Sequence, residues 1–349
     1  MNSDNLTIVI PTHERHELLR RALDYYSSWQ CLVIVVDSSK DQYTDTIPKN
    51  TSYLHLEQHG FSEKLLFALK TVKSTYTCIC ADDDFLSPSG LINGIEFLNN
   101  EQEYVSVQGH YISFKATKKT IQKFVIYHQR LGFKVDSDSP TERLIQTFSP
   151  YMQHFYALHR TEALVESMRL ASKVTTLLCA EISVALIPML IGKHKMLPLF
   201  WMARDSGVYS QYSTSVNSSN RIIKNWPEYL NSDEGQLFID GFSDFYHKYT
   251  HETKVQGQEL IKKIFSIYDK KPTVKITRYR VKLKEQLPQF IVAPIRIIKR
   301  FYHNNLYRKI HTIRLRILRV PGYPWEDKTA KQEWLKMKKT IKKHLIDNK

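Results

Sequence analysis

The stretch TYTCICADDDFLSP, residues 75–88, decides how this chain folds. Its first seven residues are apolar, aromatic or β-branched, which is typical of a short buried strand. Three consecutive acids, Asp82, Asp83 and Asp84, follow at once. Neighbouring carboxylates repel one another, and the end of a strand is half buried. The stretch therefore raises the question of what neutralises these three charges.

The chain around this stretch alternates between strand and helix patterns. Strands are predicted over residues 6–11, 31–37, 52–57 and 104–114. Helices are predicted over residues 18–26, 62–72 and 91–100, the second of them capped by Ser62. Such alternation favours an α/β fold with a mainly parallel, Rossmann-like sheet flanked by helices. Ligands bind such sheets at the carboxyl ends of the strands, where Asp37 and the three acids fall.

The second half of the chain has a weaker pattern. We expect residues 120–180 to be largely helical, with a strand leading into a helix within 153–164. An apolar helix, opened by Glu181 and ended by Gly192, is predicted within 179–198, followed by a short strand. Residues 211–235 are rich in Ser, Asn and Asp, which predicts a loop, and the chain beyond 236 is predicted to be helical again.

The composition indicates a globular protein. The chain has 349 residues, of which 42% are hydrophobic and 12% aromatic, enough for one large domain or two ordinary ones. Its four cysteines are too few and too poorly spaced for a disulfide framework or a zinc site, so we expect reduced core thiols and a cytoplasmic protein. Neither a signal peptide nor a membrane span is expected.

The positive charge is concentrated at the C-terminal end. The chain carries a formal charge of +15, and residues 271–349 hold 22 Lys and Arg against 5 Asp and Glu. The rest of the chain is close to neutral. A basic tail of this kind indicates a polyanionic partner, such as an anionic membrane surface.

Three explanations compete for the acids at 82–84. They can form a solvated turn that caps the next helix. They can bind Mg²⁺ or Mn²⁺, which takes one or two carboxylates and completes its shell with water and phosphate oxygens. They can also act as a general acid and base pair.

The first 110 residues resemble the family-2 glycosyltransferases with the GT-A fold. The resemblance rests on four segments in order: LTIVIPTHER at the first strand, VIVVDSSKD at the second, HGFSEKLLFAL before the acids, and CADDDFLSP. The DDDF form and the later AEI segment resemble a bacterial subgroup of surface-polysaccharide enzymes. The resemblance implies a GT-A domain at 1–235, with a nucleotide-binding half (1–115) and an acceptor half (116–235), and a basic helical region at 236–349.

The resemblance also gives roles to matched positions. It places Pro11, Thr12 and Glu14 in the loop that wraps the nucleotide, Asp37 at the nucleotide base, and Lys64 near base and phosphates. Asp82 and Asp83 fall on the metal-binding DXD-type motif, although Ala81 stands where the family usually has its first Asp, which leaves open which two of Asp82, Asp83 and Asp84 act. We expect Asp83 or Asp84 to bind a divalent cation, Mn²⁺ or Mg²⁺, and Asp82 to bind ribose or phosphate.

An inverting transfer also needs a general base for the acceptor hydroxyl. The family places this acid at the start of a helix, often as Glu-Asp, and the matching segment here is AEI. We expect Glu181 to be the base, although Ile182 replaces the usual Asp. A glutamate favoured by the helix dipole is the alternative interpretation, and Asp205 is the reserve candidate.

These features predict a metal-dependent, inverting glycosyltransferase that uses a nucleotide-diphosphate sugar and a glycan or lipid-linked acceptor in polysaccharide biosynthesis. The basic tail at 271–349 can place it peripherally on the inner face of a membrane, or can pack on the domain. Nucleic acid is not expected as a partner, since no recognised module is present. A nucleotidyl- or phosphosugar transferase and a catalytically inactive membrane or assembly adaptor are the alternative functions.

Overall fold

A computed structural model of the chain describes residues 5–117, 120–125, 133–206, 223, 226–269, 323 and 327–346. The side chains of Phe124, Val125 and Ile346 are not described. The basic segment 270–322 and most of the loop predicted at 211–235 lie outside these residues.

The first half has the predicted order of strands and helices. Its strands are β1 (Leu6–Thr12), β2 (Leu32–Asp37), β3 (Thr51–His55), β4 (Tyr76–Ile79), β5 (Phe85–Leu86) and β6 (Tyr104–Ala116). Its helices are α1 (His16–Tyr26), α2 (Phe61–Thr71) and α3 (Pro88–Asn100). The prediction that Ser62 caps α2 is wrong, because the helix begins one residue earlier and Gly60 is its N-cap. The Gly60 N–H donates to the Glu63 carboxylate at 2.8 Å, which satisfies a helix N-terminus without a serine.

The second half contains more strand than the sequence predicts. Its strands are β7 (Ile121–Val125), β8 (Lys134–Val135), β9 (Leu158–Arg160) and β10 (Lys193–Asp205). Its helices are α4 (Pro140–Phe148), α5 (Thr161–Ala171), α6 (Leu177–Ile191), α7 (Trp226–Leu230), α8 (Asp233–Thr250), α9 (Lys254–Asp269) and α10 (Lys328–Ile346). The strand after Gly192 is therefore 13 residues long rather than short. The end of the loop predicted at 211–235 is helical from residue 226.

The ten strands form one sheet in the order β3-β2-β1-β4-β9-β6-β10-β5, with β7 on β6 and β8 on β10. Strands β3, β2, β1 and β4 are mutually parallel, and β10 is parallel to β6. Because β9 is antiparallel to both β4 and β6, these two groups run in the same direction. The predicted mixed α/β fold with a mainly parallel central sheet is confirmed.

The sheet brings the ends of several strands to one edge. Thr12 at the end of β1 pairs in register with Asp37 at the end of β2. The acids follow β4 on the other side of β1, and Asp205 is the last residue of β10. The predicted donor-side residues and Asp205 therefore share the carboxyl edge of the sheet.

Helix α3 packs very closely on β10. A Cβ added to Gly90 would lie 2.6 Å from the Phe200 carbonyl oxygen, and one added to Gly94 would lie 3.1 Å from the Trp201 ring. Any side chain at position 90 would push α3 away from the sheet. This close contact fixes the helix that directly follows the acids.

The described side chains form two apolar cores. The larger core joins β1, β2, β4, α1 and the C-terminal helix α10, and the second joins α4, α6, α8 and α9. All four cysteines are buried and unpaired in disulfides. In the described parts of the chain, no helix is both long and apolar enough to span a membrane.

Candidate functional site

The acids after β4 face the end of β1. Asp82 is 1% exposed, and its Oδ2 accepts a hydrogen bond from Thr12 Oγ1 at 2.6 Å. Arg15, the N-cap residue of α1, donates from Nε to the same oxygen at 3.2 Å and from Nη2 to Oδ1. Asp82 is thus held by a two-pronged guanidinium contact, which is the strongest common geometry for a carboxylate.

Asp83 is held mainly through its backbone. Its carbonyl oxygen accepts a hydrogen bond from Arg21 Nη2 at 2.8 Å, while its carboxylate lies 3.6 Å from Arg15 Nη1. Its side chain is 10% exposed, against 0% for Asp82 and 4% for Asp84. Asp83 therefore has the most accessible and least tightly paired carboxylate of the three.

Asp84 lies against the end of β10. Its Oδ1 accepts a hydrogen bond from the Asp205 N–H at 2.9 Å, and its Oδ2 lies 3.3 Å from Arg204 Nε. Arg204 also donates to Gln153 Oε1 at 3.2 Å and lies over the Tyr156 ring at 4.8 Å. This carboxylate thereby joins the β4 loop to the far half of the sheet.

Two arginines partly compensate the negative charge of the three acids. Burial raises the pKa of Asp82, and the guanidinium of Arg15 opposes that rise. Burial and the neighbouring Asp83 raise the pKa of Asp84, and Arg204 opposes them. The site thus contains fixed positive groups beside its acids, so its residues could hold an anion as well as a cation.

The contacts of Asp82, Asp83 and Asp84 decide which of them could bind a divalent cation. Among the described residues, no group of three or more His, Cys, Asp or Glu side chains is arranged to hold a metal ion. Mg²⁺ and Mn²⁺ need only one or two carboxylates when diphosphate oxygens and water complete the shell. Asp83 fits such a cation, whereas Asp82 is engaged by Thr12 and Arg15, and Asp84 by the Asp205 N–H and Arg204. The residues fit a metal that binds together with a diphosphate.

Asp37 is the centre of a hydrogen-bond network at the end of β2. It accepts hydrogen bonds from the Ser39 N–H at 2.8 Å and from Tyr53 Oη at 2.7 Å, and His16 Nε2 lies 2.8 Å from it. Burial alone would raise its pKa, but these hydrogen bonds outweigh burial, and the pKa of Asp37 is lowered. The carboxylate stays ionised and acts only as an acceptor.

The loops after β1 and β2 are joined by Glu14 and Lys64. The Glu14 N–H donates to Ser39 Oγ, and its carboxylate accepts from the Lys40 N–H, both at 2.7 Å. Glu14 adopts φ 53°, a left-handed conformation that such contacts have to hold in place. Lys64 Nζ donates to the Thr12 carbonyl and, at 2.9 Å, to Ser38 Oγ.

Lys64 is therefore part of the support of this loop. Its side chain lies beneath the loop, since the residue is 2% exposed. Burial lowers the pKa of Lys64 to about 8. Pro11 is buried next to Thr12 in β1, so of the predicted loop residues Glu14 is the exposed one.

Glu181 lies in the acceptor half, on α6. It is the fifth residue of the helix, whose N-cap is Thr176, so the prediction that Glu181 opens the helix is wrong. A carboxylate in the second turn gains little from the helix dipole, which weakens that alternative interpretation. Glu181 Oε1 instead accepts a hydrogen bond from Tyr151 Oη at 2.8 Å.

The environment of Glu181 makes it more basic than an ordinary glutamate. Burial raises the pKa of Glu181, and hydrogen bonds from Tyr151 and Gln153 and the charge of Arg204 oppose this only in part. Arg204 also pairs with Asp84. The charge of one guanidinium therefore acts on both Asp84 and the candidate base.

Asp205 has a different environment. Its carboxylate pairs with Arg21 Nη1 at 3.1 Å, and the side chains of both residues are buried. A carboxylate committed to a buried guanidinium is a poor proton acceptor. The geometry favours Glu181 over Asp205 as a base.

The residues predicted from the sequence do not include Arg15, Arg21, Arg204 or Tyr151. Arg21 had a usable signal, because it interrupts the apolar stripe of α1 between Leu18 and Ala22, and a charge at such a position needs a buried partner. Arg204, which follows the apolar run of β10 next to Asp205, carries the same signal of a charge that needs a partner. Tyr151 had no comparable signal, since its partner is 30 residues away along the chain.

Comparisons with known proteins identify the family of this domain. The sequence profile of glycosyl transferase family 2 matches residues 7–163, which include the first loop, Asp37, Lys64 and the three acids. A comparison with curated proteins gave no match.

The solved structures that resemble this chain include two of TarS from S. aureus. The fragment TarS 1–349 is 14% identical, with a TM-score of 0.42, and the match covers 76% of this chain and 80% of that one. TarS 1–349 in complex with UDP-GlcNAc is 15% identical, with a TM-score of 0.43, and the match covers 73% and 75%. These likenesses are distant, and the assignment rests on the family match. The family predicted from the sequence is confirmed: residues 7–163 belong to glycosyl transferase family 2, and the chain is a glycosyltransferase.

Proposed function

We propose that the chain is a metal-dependent, inverting glycosyltransferase that moves a sugar from a nucleotide-diphosphate sugar to a hydroxyl of a glycan or lipid-linked acceptor. The arrangement of Arg204 carries this proposal. It pairs with Asp84 on the donor side. On the acceptor side its charge opposes the rise that burial causes in the pKa of Glu181. A single displacement needs such a pair of sites, with the leaving group on one side and the base on the other.

Each side of the site has a distinct role in this mechanism. The Asp37 carboxylate is fully buried and already has partners on both oxygens, so the nucleotide base binds it by replacing His16, whose side chain is 28% exposed. Arg15 and Arg204 lie beside the acids, where they bind the diphosphate. Asp83, with Asp84 beside it, would hold the divalent cation, and that cation would supply charge stabilisation to the leaving diphosphate. Arg15 and Arg204 lower the energy of the same developing charge.

The chemical step belongs to Glu181. Its carboxylate removes the proton of the acceptor hydroxyl as the oxygen attacks the anomeric carbon from the face opposite the diphosphate. The bond between that carbon and the diphosphate oxygen breaks, so a nucleoside diphosphate leaves and the configuration inverts. The raised pKa of Glu181 favours proton capture.

The ionised Asp37 also restricts the donor. Because the carboxylate only accepts hydrogen bonds, it matches a base that presents a ring N–H, such as uracil or guanine. Cytosine presents an acceptor at the corresponding ring position and would be disfavoured. We propose a uridine or guanosine diphosphate sugar as donor.

The acceptor and the location of the enzyme follow from the charge of the tail. We propose that the acceptor belongs to a surface polysaccharide assembled at the cytoplasmic face of a membrane, to which the basic residues of 271–349 attach the enzyme peripherally. That segment carries the positive charge of the chain, although 270–322 lie outside the described residues.

Thermal unfolding in the presence of nucleotides tests the proposal. We expect UDP or GDP to raise the melting temperature more in the presence of Mn²⁺ than in its absence, and CDP and CMP to have little effect. Asp83→Asn should remove the Mn²⁺-dependent part of the shift. Asp244→Asn, at an exposed ion pair with Lys254 on α9, is the matched control and should leave it unchanged.

Other results would favour the alternative functions. Release of pyrophosphate from a nucleoside triphosphate would indicate a nucleotidyltransferase. No shift with any nucleotide would contradict the donor site, and a biological role that survives Asp83→Asn and Glu181→Gln would indicate an inactive adaptor.

A further inference from the structure

The C-terminal helix α10 is part of the catalytic domain. Its inner face consists of Ala330, Trp334, Met337 and Ile341, which are buried in the same core as β1 and β4. The Trp334 ring lies 6.0 Å from that of Phe114 on β6. The apolar side of this helix is therefore occupied within the chain and is not available for insertion into a bilayer.

A buried carboxylate fixes the position of the helix. Glu333 accepts hydrogen bonds from Ser87 Oγ at 2.5 Å and from the Ser89 N–H at 2.8 Å. These residues form the N-terminus of α3, directly after the acids. Glu333 thereby ties α10 to the segment that carries the candidate donor site, so the two have one defined relative orientation.

The outer face of α10 is a row of lysines. With 3.6 residues per turn, it contains the exposed residues Lys328, Lys331, Lys336, Lys339, Lys342 and Lys343. The row is about 22 Å long, since fifteen residue steps of ~1.5 Å separate its ends. Leu335, 53% exposed, lies among these lysines.

Few acids oppose this lysine face. Within the described part of the chain, Asp24 on α1 is the only acidic partner of its lysines, and it pairs with Lys343 and with His344 beside it. Five ammonium groups on one helix, without an acidic partner among the described residues, form a strong, local positive potential. Their natural counterpart is a dense array of anions.

We propose that the lysine face of α10 is the surface through which this enzyme binds an anionic phospholipid bilayer. Lipid fits better than nucleic acid for two reasons. An exposed leucine among the lysines contributes apolar contact at the boundary of headgroups and acyl chains. The adjoining segment, residues 270–326, interleaves Ile, Leu and Phe with 15 Lys and Arg against 2 Glu, a composition typical of interfacial segments.

This inference deepens the proposed function, because a lipid-linked acceptor lies in such a bilayer. Since Glu333 ties the helix to the α3 N-terminus, binding through the lysine face gives the donor edge a fixed orientation to the membrane. Binding itself does not depend on the donor, so it can be measured apart from catalysis.

Co-sedimentation of the full chain with vesicles tests the proposal. The vesicles contain phosphatidylcholine with or without phosphatidylglycerol. We expect binding only to the anionic vesicles, weakening as salt rises. Replacing Lys331, Lys336, Lys339 and Lys342 together by Gln should lower the partition coefficient at least about tenfold, because each lysine near an anionic surface contributes about fivefold.

The matched control replaces four exposed lysines elsewhere, Lys70 and Lys73 near the end of α2 and Lys262 and Lys263 on α9. It loses the same charge and should change the partition coefficient less than about twofold. Equal losses in the two variants would overturn the proposal, as would wild-type protein that binds no anionic vesicles. Binding of duplex DNA or RNA through the α10 lysines in place of vesicles would overturn it too.

A retained melting temperature shift with nucleotide, in either variant, shows that the donor site is intact. Failure of the membrane proposal and failure of the proposed function therefore give different results.

Discussion

Two sets of carboxylates in this protein have contrasting partners. At the donor edge, Asp82 and Asp84 each contact a guanidinium directly, that of Arg15 and that of Arg204. In the acceptor half, Glu181 receives its hydrogen bond from a neutral phenol, that of Tyr151. Burial raises the pKa in all three cases.

The difference shows how one enzyme keeps two kinds of acid. A carboxylate in direct contact with a guanidinium is engaged by that partner and serves to organise ligands. A buried carboxylate with neutral hydrogen-bond partners loses less interaction energy when it takes a proton, so it can act as a base. The predictions below test that contrast.

The largest effect is expected for Glu181→Gln. The amide has the same shape but cannot take a proton, so kcat should fall by about 10³-fold. The melting temperature and the nucleotide-induced shift should stay close to those of wild type. Steady-state kinetics with a uridine or guanosine diphosphate sugar, chosen by the thermal-unfolding test, checks this. A variant that keeps most of its kcat would exclude Glu181 as the base.

Asp205→Asn should affect stability rather than chemistry. It removes the charge that compensates the buried Arg21, and the loss of one partner of a buried pair costs about 3 kcal/mol of unfolding free energy. Denaturant unfolding and kcat of the remaining folded enzyme measure the two effects. If kcat falls further here than in Glu181→Gln, Asp205 rather than Glu181 is the base.

Arg15→Ala should change how the acids bind cations. Without the guanidinium, Asp82 and Asp83 lose their positive partner, and Mn²⁺ affinity without nucleotide should rise about tenfold, or about 1.4 kcal/mol. Nucleotide affinity should fall, since a cation beside the diphosphate is lost. Calorimetric titration measures both, and Arg20→Ala, at an exposed pair with Asp45, is the control. Unchanged Mn²⁺ affinity would show that Arg15 and Mn²⁺ do not compete for these carboxylates.

Tyr151→Phe should have the smallest effect, on pH dependence. The phenol hydrogen bond lowers the pKa of Glu181 against the opposing effect of burial, so its removal raises that pKa further. A base works when deprotonated, so the acid limb of kcat should move to higher pH. The pH profile of kcat tests this, with Tyr104→Phe, at the opposite edge of the sheet, as control. A limb that stays in place or moves to lower pH would refute the interpretation.

Local patterns were enough to predict the donor half. Apolar runs that end in polar residues placed β1, β2 and β4 correctly, and parallel geometry then placed Asp37 and the three acids at one edge. The roles of these residues stay predictions, as does the boundary at residue 236.

Long-range contacts explain what could not be predicted. The partners of the acids, Arg15 and Arg204, are 67 and 120 residues away from them along the chain. The length of β10 depends on pairing with β6 and β8, whereas the run KHKMLPLFWMARD contains a proline and several charges that weaken its strand pattern. Periodicity does not record such pairings, so the second half looked more helical than it is.

The position of α10 has a consequence for how the protein is made. The helix is translated well after β1 and β6, yet Trp334, Met337 and Ile341 belong to the core that starts with β1. While it is on the ribosome, the nascent domain therefore leaves the apolar surface of α1 and β6 uncovered and the α3 N-terminus without Glu333. Exposed apolar surface of this kind is prone to aggregation until the helix has been made. A premature stop codon late in the reading frame would then produce a protein that is degraded rather than one that merely lacks its tail.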